Sequence, residues 1–299
     1  MTKSKIKSPY PFFGGKSRVA DLIWSGLGEV SNYVEPFAGS LAVLLANPKV
    51  PKIETINDKD CFISNFWRAV SIDPDGVAKY ADYPVHEADL HARRKWLLSS
   101  ATEVFHNKMN SDPDFYDLKV AGWWVWCMGT SIGSSWLSSK ENNSLPMLSS
   151  AGGGINGLTL PILDWFKLLQ QRTRRTRVCC GDWTRMVKSA ITFGNKGLSN
   201  KDITGVFLDP PYDSKGRDKV YREDNNIFKD VCKWALDNGD NPRMRIVLCG
   251  YEGDHSFPDS WQVHAWKANG GLANLADDRG RSNAALERIW FSPHCLEIK

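Results

Sequence analysis

The chain has 299 residues, room for one large domain or two modest ones, and at 42% hydrophobic it can bury a sizeable core. A net charge of +4 is too slight to mark a nucleic-acid binder by electrostatics alone. No apolar run approaches the ~20 residues of a membrane span, no apolar signal region follows the basic Met1–Lys7 segment, and seven scattered cysteines predict reduced thiols, so a cytoplasmic protein with no membrane partner is expected.

From the N-terminus, Phe12-Phe13-Gly14-Gly15-Lys16-Ser17 reads as a loop feeding a helix from about Ser17 to Leu27. Tyr33–Phe37 reads as a short strand, Ala38-Gly39-Ser40 as a turn, and Leu41–Ala46 as a helix with Pro48 beyond it. Ile53–Ile56 is a second strand, closed by Asn57-Asp58. Val178–Cys180, Val206–Leu208, Arg245–Cys249, Trp261–Lys267 and Leu286–Phe291 supply five more, with a helix over Glu223–Leu236. Strands alternating with helices predict an α/β fold with a seven-stranded, mostly parallel sheet covered on both faces.

The interval 61–177 breaks this rhythm. About 120 residues between the second and third strands exceed any ordinary crossover, so an inserted, mainly helical subdomain is expected there. It holds helix-like runs at Phe62–Val70 and His86–Phe105, then Trp123-Trp124-Val125-Trp126, which reads as core more readily than as a base-stacking platform. A Ser-, Asn- and Gly-rich tract over Thr130–Gly157 follows, with the composition of a mobile loop able to reach a groove. Lys and Arg number 13 against 11 Asp and Glu over 61–177, so charge does not mark this interval as a DNA surface.

The strongest chemical signal is Asp209-Pro210-Pro211-Tyr212, directly after an apolar strand. Ligands of open α/β sheets gather at the carboxyl ends of strands. The Asp209 carboxylate and a proline carbonyl offer acceptors without a competing N–H, and Tyr212 offers a π face. Such a site suits a planar ring bearing an amino group; in an ordinary protein the same residues make a plain turn. Glu35-Pro36-Phe37-Ala38-Gly39-Ser40 is a strand–turn–helix whose glycine lets a ligand approach the backbone, or lets strand and helix pack tightly. Asp58, about 20 positions beyond that turn, suits a ribose hydroxyl or a solvated turn. Asp182 suits a purine amino group or a helix cap, and Trp183 a stacking ring or a core residue. Gly14-Gly15-Lys16-Ser17 has the ending of a phosphate-binding loop, but Tyr10 stands where that motif requires Gly, and Pro9 and Pro11 oppose the strand before it, which excludes a nucleotide triphosphatase. Lys16 is then a cation for a ligand carboxylate, or a surface lysine. Arg172, Arg174, Arg175 and Arg177 read as a solvated helix face before a phosphate contact. The six His do not cluster with Cys at zinc-ligand spacing, so no metal is expected.

These segments, in this order, resemble the S-adenosylmethionine-dependent DNA adenine-N6 methyltransferases of the deoxyadenosine methylase type, and Glu287-Arg288-Ile289-Trp290-Phe291-Ser292-Pro293 is similar to the closing stretch of phage-type members. The resemblance implies a Rossmann-like methyltransferase fold, with residues 1–60 and 178–299 as the cofactor-binding catalytic domain and 61–177 as the target-recognition subdomain. It implies that Phe12 and Lys16, with Gly15, line the methionine end of the cofactor, that Phe37, Ala38 and Gly39, flanked by Glu35 and Ser40, form the cofactor loop, that Asp58 binds the ribose, and that Asp182 and Trp183 hold the cofactor adenine. Asp209, Pro210, Pro211 and Tyr212 would be catalytic, acting on an adenine flipped out of double-stranded DNA. The family usually carries a further glycine where this chain has Leu41, whose side chain is expected to crowd the cofactor. Cytosine-N4 methylation shares the amino-group chemistry but more usually has Ser in place of Asp209; protein-glutamine methylation usually has Asn there. RNA methylation and a catalytically silent DNA-binding protein of the same fold complete the alternatives.

Overall fold

Strands that are apolar along their whole length can be buried only in a sheet covered on both faces. The computed structural model describes residues 6–12, 15–100, 103–112, 114–131, 145–148, 161–211, 227–253, 256–266 and 286–298. Its sheet contains β1 (Asn32–Glu35), β2 (Ile53–Asp58), β3 (Thr176–Cys180), β4 (Thr204–Leu208), β5 (Met244–Tyr251), β6 (Gln262–Ala265) and β7 (Glu287–Phe291). The strand order is β3-β2-β1-β4-β5-β7-β6. The first five strands in this order run parallel, with Val34 opposite both Thr55 and Val206, and Val206 opposite Ile246. β7 is antiparallel to both its neighbours. The two central strands, β1 and β4, are buried at every residue.

All seven expected strands are present, with shifted ends that have local causes. β1 stops at Glu35 rather than Phe37 because Pro36 has no N–H to give to a ladder. β6 starts after Trp261, whose N–H turns back to the Pro258 carbonyl at 2.9 Å. The helix expected from Ser17 begins instead as a 3-10 turn, Lys16–Arg18, before α1 (Ala20–Leu27). α2 (Ala42–Leu45) is a single turn.

In the 61–177 interval lie α3 (Cys61–Ile72), α4 (Pro74–Ala81), α5 (Glu87–Ser100), α6 (Glu103–Ser111), α7 (Leu118–Thr130) and α8 (Ile162–Thr173). Each of three starts is set by an Asp that accepts from a backbone N–H of the first turn: Asp60 from Phe62, Asp73 from Gly76 and Asp117 from Val120, all at 2.8 Å. α3 packs on β2 and β3, and α7 and α8 pack on α3. Asn65 of α3 ties itself to the start of α7 reciprocally, accepting from Asp117 N at 2.8 Å and donating to Asp117 O at 2.9 Å. Gly122 allows α7 to lie close to α4, since a Cβ there would stand 2.3 Å from the Tyr80 Cβ. Trp124 and Trp126 of α7 are fully buried, as a core reading of that aromatic run requires, while Trp123 is half-buried. Of the Thr130–Gly157 tract only residues 130, 131 and 145–148 lie among the described residues; Met147 N donates to the buried Thr130 carbonyl at 2.7 Å. α9 (Phe228–Asn238) covers the expected helix from residue 228 onward, and residues 223–226 lie outside the described set.

Candidate active site

The chain moves outward from β1 to β2 and β3 on one side of the sheet, then returns to β4 and moves outward to β5 on the other. The direction changes between β1 and β4, and the crevice beyond their carboxyl ends is where such sheets bind ligands. The candidate motifs lie around that crevice.

The turn after β1 is held by the end of β2. Ala38 N donates to the Asn57 carbonyl at 2.9 Å, and Gly39 N to Asp58 Oδ2 at 3.0 Å. Asn57 Nδ2 donates to both the Pro36 and the Gly181 carbonyl, each at 3.0 Å, while Gly181 N donates to the Asp58 carbonyl at 3.1 Å. The turns after β1, β2 and β3 are therefore joined through two consecutive residues. The Gly39 carbonyl accepts from the Tyr10 hydroxyl at 2.6 Å and from the Trp67 indole at 3.2 Å. Gly39 has φ of +45°, and a Cβ there would come within 2.8 Å of the Phe12 ring, so only glycine fits. Phe12 and Tyr10 themselves pack edge to face, and Tyr10 also meets Trp124 at 4.7 Å and Phe66 at 5.6 Å.

Leu41 is the one non-glycine with positive φ among the described residues, at 55°. The backbone there has the left-handed form that a glycine supplies without strain, and Leu adopts it at a cost of about 1–2 kcal/mol. Its side chain is fully buried in the hydrophobic core, and the residue stands at the N-terminal cap position of α2 with no side-chain hydrogen bond. The side chain expected to crowd a cofactor is thus absorbed by packing.

Asp58 has both oxygens engaged, Oδ2 by Gly39 N and Oδ1 by Asp60 N at 2.9 Å, and it stands half-buried at the crevice. Asp182 is exposed and caps the 3-10 turn Trp183–Arg185, accepting from Thr184 N at 2.9 Å. The Thr184 hydroxyl and amide hold its carboxyl below the ordinary range. Trp183 is buried, with its ring centroid 6.0 Å from that of the half-buried Phe37. Both readings of Asp182-Trp183, cap with core and ring beside the crevice, are compatible with this placement. Ala38 and Ser40 are buried, and Gly15 is exposed with its N–H on the Phe12 carbonyl at 3.0 Å.

Across the crevice, Asp209 and Pro210 follow directly from β4, Pro210 buried and Pro211 half-buried. Lys16 is buried, and its Nζ lies 2.9 Å from Asp209 Oδ1 and 5.8 Å above the ring of Trp266. Burial pulls the Lys16 ammonium down, but the Asp209 carboxylate, Cys249 and Glu287 together push it above its ordinary value, so it stays charged. Glu35, buried at the end of β1, has its carboxyl pushed well up by burial, against the Tyr33 hydroxyl that donates to it at 2.9 Å. Phe13, Gly14 and Tyr212 lie outside the described residues.

Sequence reasoning missed three participants. Tyr10 entered it only as a mismatch to a phosphate loop, yet it supports Gly39. Asn57 entered only as the end of a strand, yet it joins three turns. Trp266 carried no signal at all. Arg172, read with its neighbours as a solvated face, turns inward instead: its Nη1 and Nη2 reach the two oxygens of buried Glu54 at 2.7 Å each. Arg174, Arg175 and Arg177 are exposed.

Sheet order, crevice and an Asp-Pro-Pro turn at the end of β4 together define a Rossmann-like methyltransferase fold. Residues 12–144 match the family model of the D12 class N6 adenine-specific DNA methyltransferases. The match indicates an adenine-specific DNA methyltransferase, and enzymes of this type normally use S-adenosylmethionine. The matched segment spans the turn after β1 and the helices through α7; the Asp209 motif lies beyond it. No curated protein gives a match to the chain. Among the described residues, no group of His, Cys, Asp and Glu is arranged to hold a metal ion, and no helix is long and apolar enough to cross a membrane.

Proposed function

We propose that this enzyme methylates the N6 amino group of adenine at specific sequences in duplex DNA, taking the target base out of the helix and into the crevice between β1 and β4. A base paired inside a duplex hides its amino group, so extrusion is a physical requirement of the chemistry. The observation that carries the reading is the Asp209-Pro210-Pro211 turn, which leaves β4 at the point where the sheet reverses direction, opposite the Phe37–Ser40 turn.

The residues of the crevice fit S-adenosylmethionine. The Gly39 turn lies against the Phe12 ring at the crevice, Asp58 offers a half-buried carboxylate, and Phe37 and Trp183 place two rings near each other. We assign cofactor binding to Phe12, Gly15, Glu35, Phe37, Ala38, Gly39, Ser40, Asp58, Asp182 and Trp183. Bound there, the cofactor supplies an electrophilic methyl group. The adenine amino nitrogen is a poor nucleophile because its lone pair is delocalised into the ring. The Asp209 carboxylate and the Pro210 carbonyl accept its two hydrogens and localise that lone pair. The carboxylate also faces the nitrogen where positive charge grows during transfer, which is where fixed negative charge lowers a barrier most. Tyr212 stacks on the base. Residues 1–60 and 178–299 form the catalytic domain. Residues 61–177 serve target recognition, with α3 packed on the sheet and α7 and α8 packed on α3.

Transfer of labelled methyl from S-adenosylmethionine to unmethylated duplex DNA, followed by nucleoside analysis, tests the reading. N6-methyladenine is expected from the wild type, and Asp209→Ala is expected to lose it by about 100-fold or more while still binding DNA. N4-methylcytosine as the product, or a fully active Asp209→Ala, overturns it.

A further inference from the structure

Aspartates in this chain are held by their own downstream backbone. Asp58 accepts from Asp60 N, Asp60 from Phe62 N and Asp182 from Thr184 N, each two residues on. Asp209 is denied this arrangement, because the next two residues are Pro210 and Pro211 and neither has an N–H. The N–H two residues on, which holds Asp58, Asp60 and Asp182, is therefore missing at Asp209. Lys16 reaches it from the N-terminal segment, with Nζ 2.9 Å from Oδ1.

We propose that Lys16 is a positioning residue for the methyl transfer, holding the Asp209 carboxylate in place, and is not a ligand for the cofactor's carboxylate. The proposal rests on the functional reading above. The Lys16 side chain is only 2% exposed, whereas that of Asp209 is 20% exposed. Thus the anion of the pair faces the crevice and the cation stands behind it, with the Trp266 ring across another side. A cation so enclosed has no open face for an incoming carboxylate. The turn that delivers it is built for that depth: Gly15 N bonds to the Phe12 carbonyl at 3.0 Å, and Lys16 opens the 3-10 turn that follows. An ammonium has the further property that its charge survives burial here, since the neighbouring Asp209 and Glu287 carboxylates outweigh desolvation.

The test uses the full chain. Wild type, Lys16→Met and Lys16→Arg are compared for kcat with labelled S-adenosylmethionine and unmethylated duplex DNA, and for cofactor affinity by calorimetry. Lys16→Met is expected to bind the cofactor within about threefold of wild type and to lose about 100-fold in kcat. Lys16→Arg is expected to recover part of kcat. Cofactor affinity about tenfold weaker with kcat retained at saturation overturns the proposal and makes Lys16 a cofactor ligand. Unchanged kcat and affinity overturn it as well, leaving a structural ion pair. Should Lys16→Met fail to fold, Lys16→Arg decides: reduced kcat at unchanged cofactor affinity supports the proposal, and wild-type kcat defeats it. A wild type that transfers no methyl to adenine defeats the functional reading itself, before any variant is compared.

Discussion

Replacing Arg172 by Met separates a structural arginine from a DNA contact. Four hydrogen bonds converge on the pair it forms with Glu54: Nη1 to Oε2 and Nη2 to Oε1 at 2.7 Å, Nη2 to the Leu44 carbonyl at 2.9 Å, and Thr176 Oγ1 to Oε2 at 3.0 Å. The side chains are only 8% and 3% exposed, so Arg172→Met would leave a dry carboxylate supported by one hydroxyl. Breaking such a pair from one side costs about 3–5 kcal/mol. With a denaturant slope of about 3 kcal/mol per molar urea, the unfolding midpoint falls by about 1–2 M. The Glu54→Met, Arg172→Met double variant recovers most of the loss, since it strands no charge. Glu54 lies at the amino end of β2, four residues before Asp58, or ~13 Å from the crevice. Turnover of the folded enzyme is therefore expected to stay at the wild-type value. An Arg172→Met variant that unfolds at the wild-type midpoint, but binds DNA weakly and with a shallower salt dependence, would refute the reasoning and return Arg172 to the phosphate backbone.

Gly39→Ala forces a left-handed alanine against the Phe12 ring, and its Kd for S-adenosylmethionine in calorimetry is expected to rise about tenfold, with circular dichroism unchanged. Glu35 makes a prediction about pH. Its folded carboxyl titrates well above the ordinary value of 4.5, so the stability it contributes is complete below that value and is lost as pH rises through the folded value. Glu35→Gln is expected to remove that decline and to be the more stable protein at neutral pH; parallel urea midpoints for the two proteins from pH 5 to 8 would contradict this.

The sheet was legible because its central strands are apolar runs and the strands alternate with helices, but the strand order was not read from the sequence. Pro36 even marks where β1 must end. The Asp209 motif and the Gly39 turn were legible because their chemistry is local, a carboxylate before two prolines and a glycine at a bend. What remained hidden depended on partners far away in the chain. Nothing beside Lys16 announces Asp209, and nothing distinguishes Arg172 from Arg174 until Glu54 faces it. Tyr10 was misjudged for the same reason: its hydroxyl finds its acceptor at Gly39, across 29 positions. Leu41 is the inverse case. The sequence offered only a side chain in the cofactor's way, while the left-handed backbone and the pocket that absorbs the leucine are properties of the assembled core.

Asn57 spends one amide group on two carbonyls belonging to different turns, while its own backbone carbonyl holds a third contact at Ala38. Three strand ends are thereby locked into a common plate, and no lip of the crevice can drift without dragging the others. Mutational drift in the methylation chemistry should accordingly be correlated across the three turns, whereas outer helices such as α5 and α6 can exchange surface residues independently.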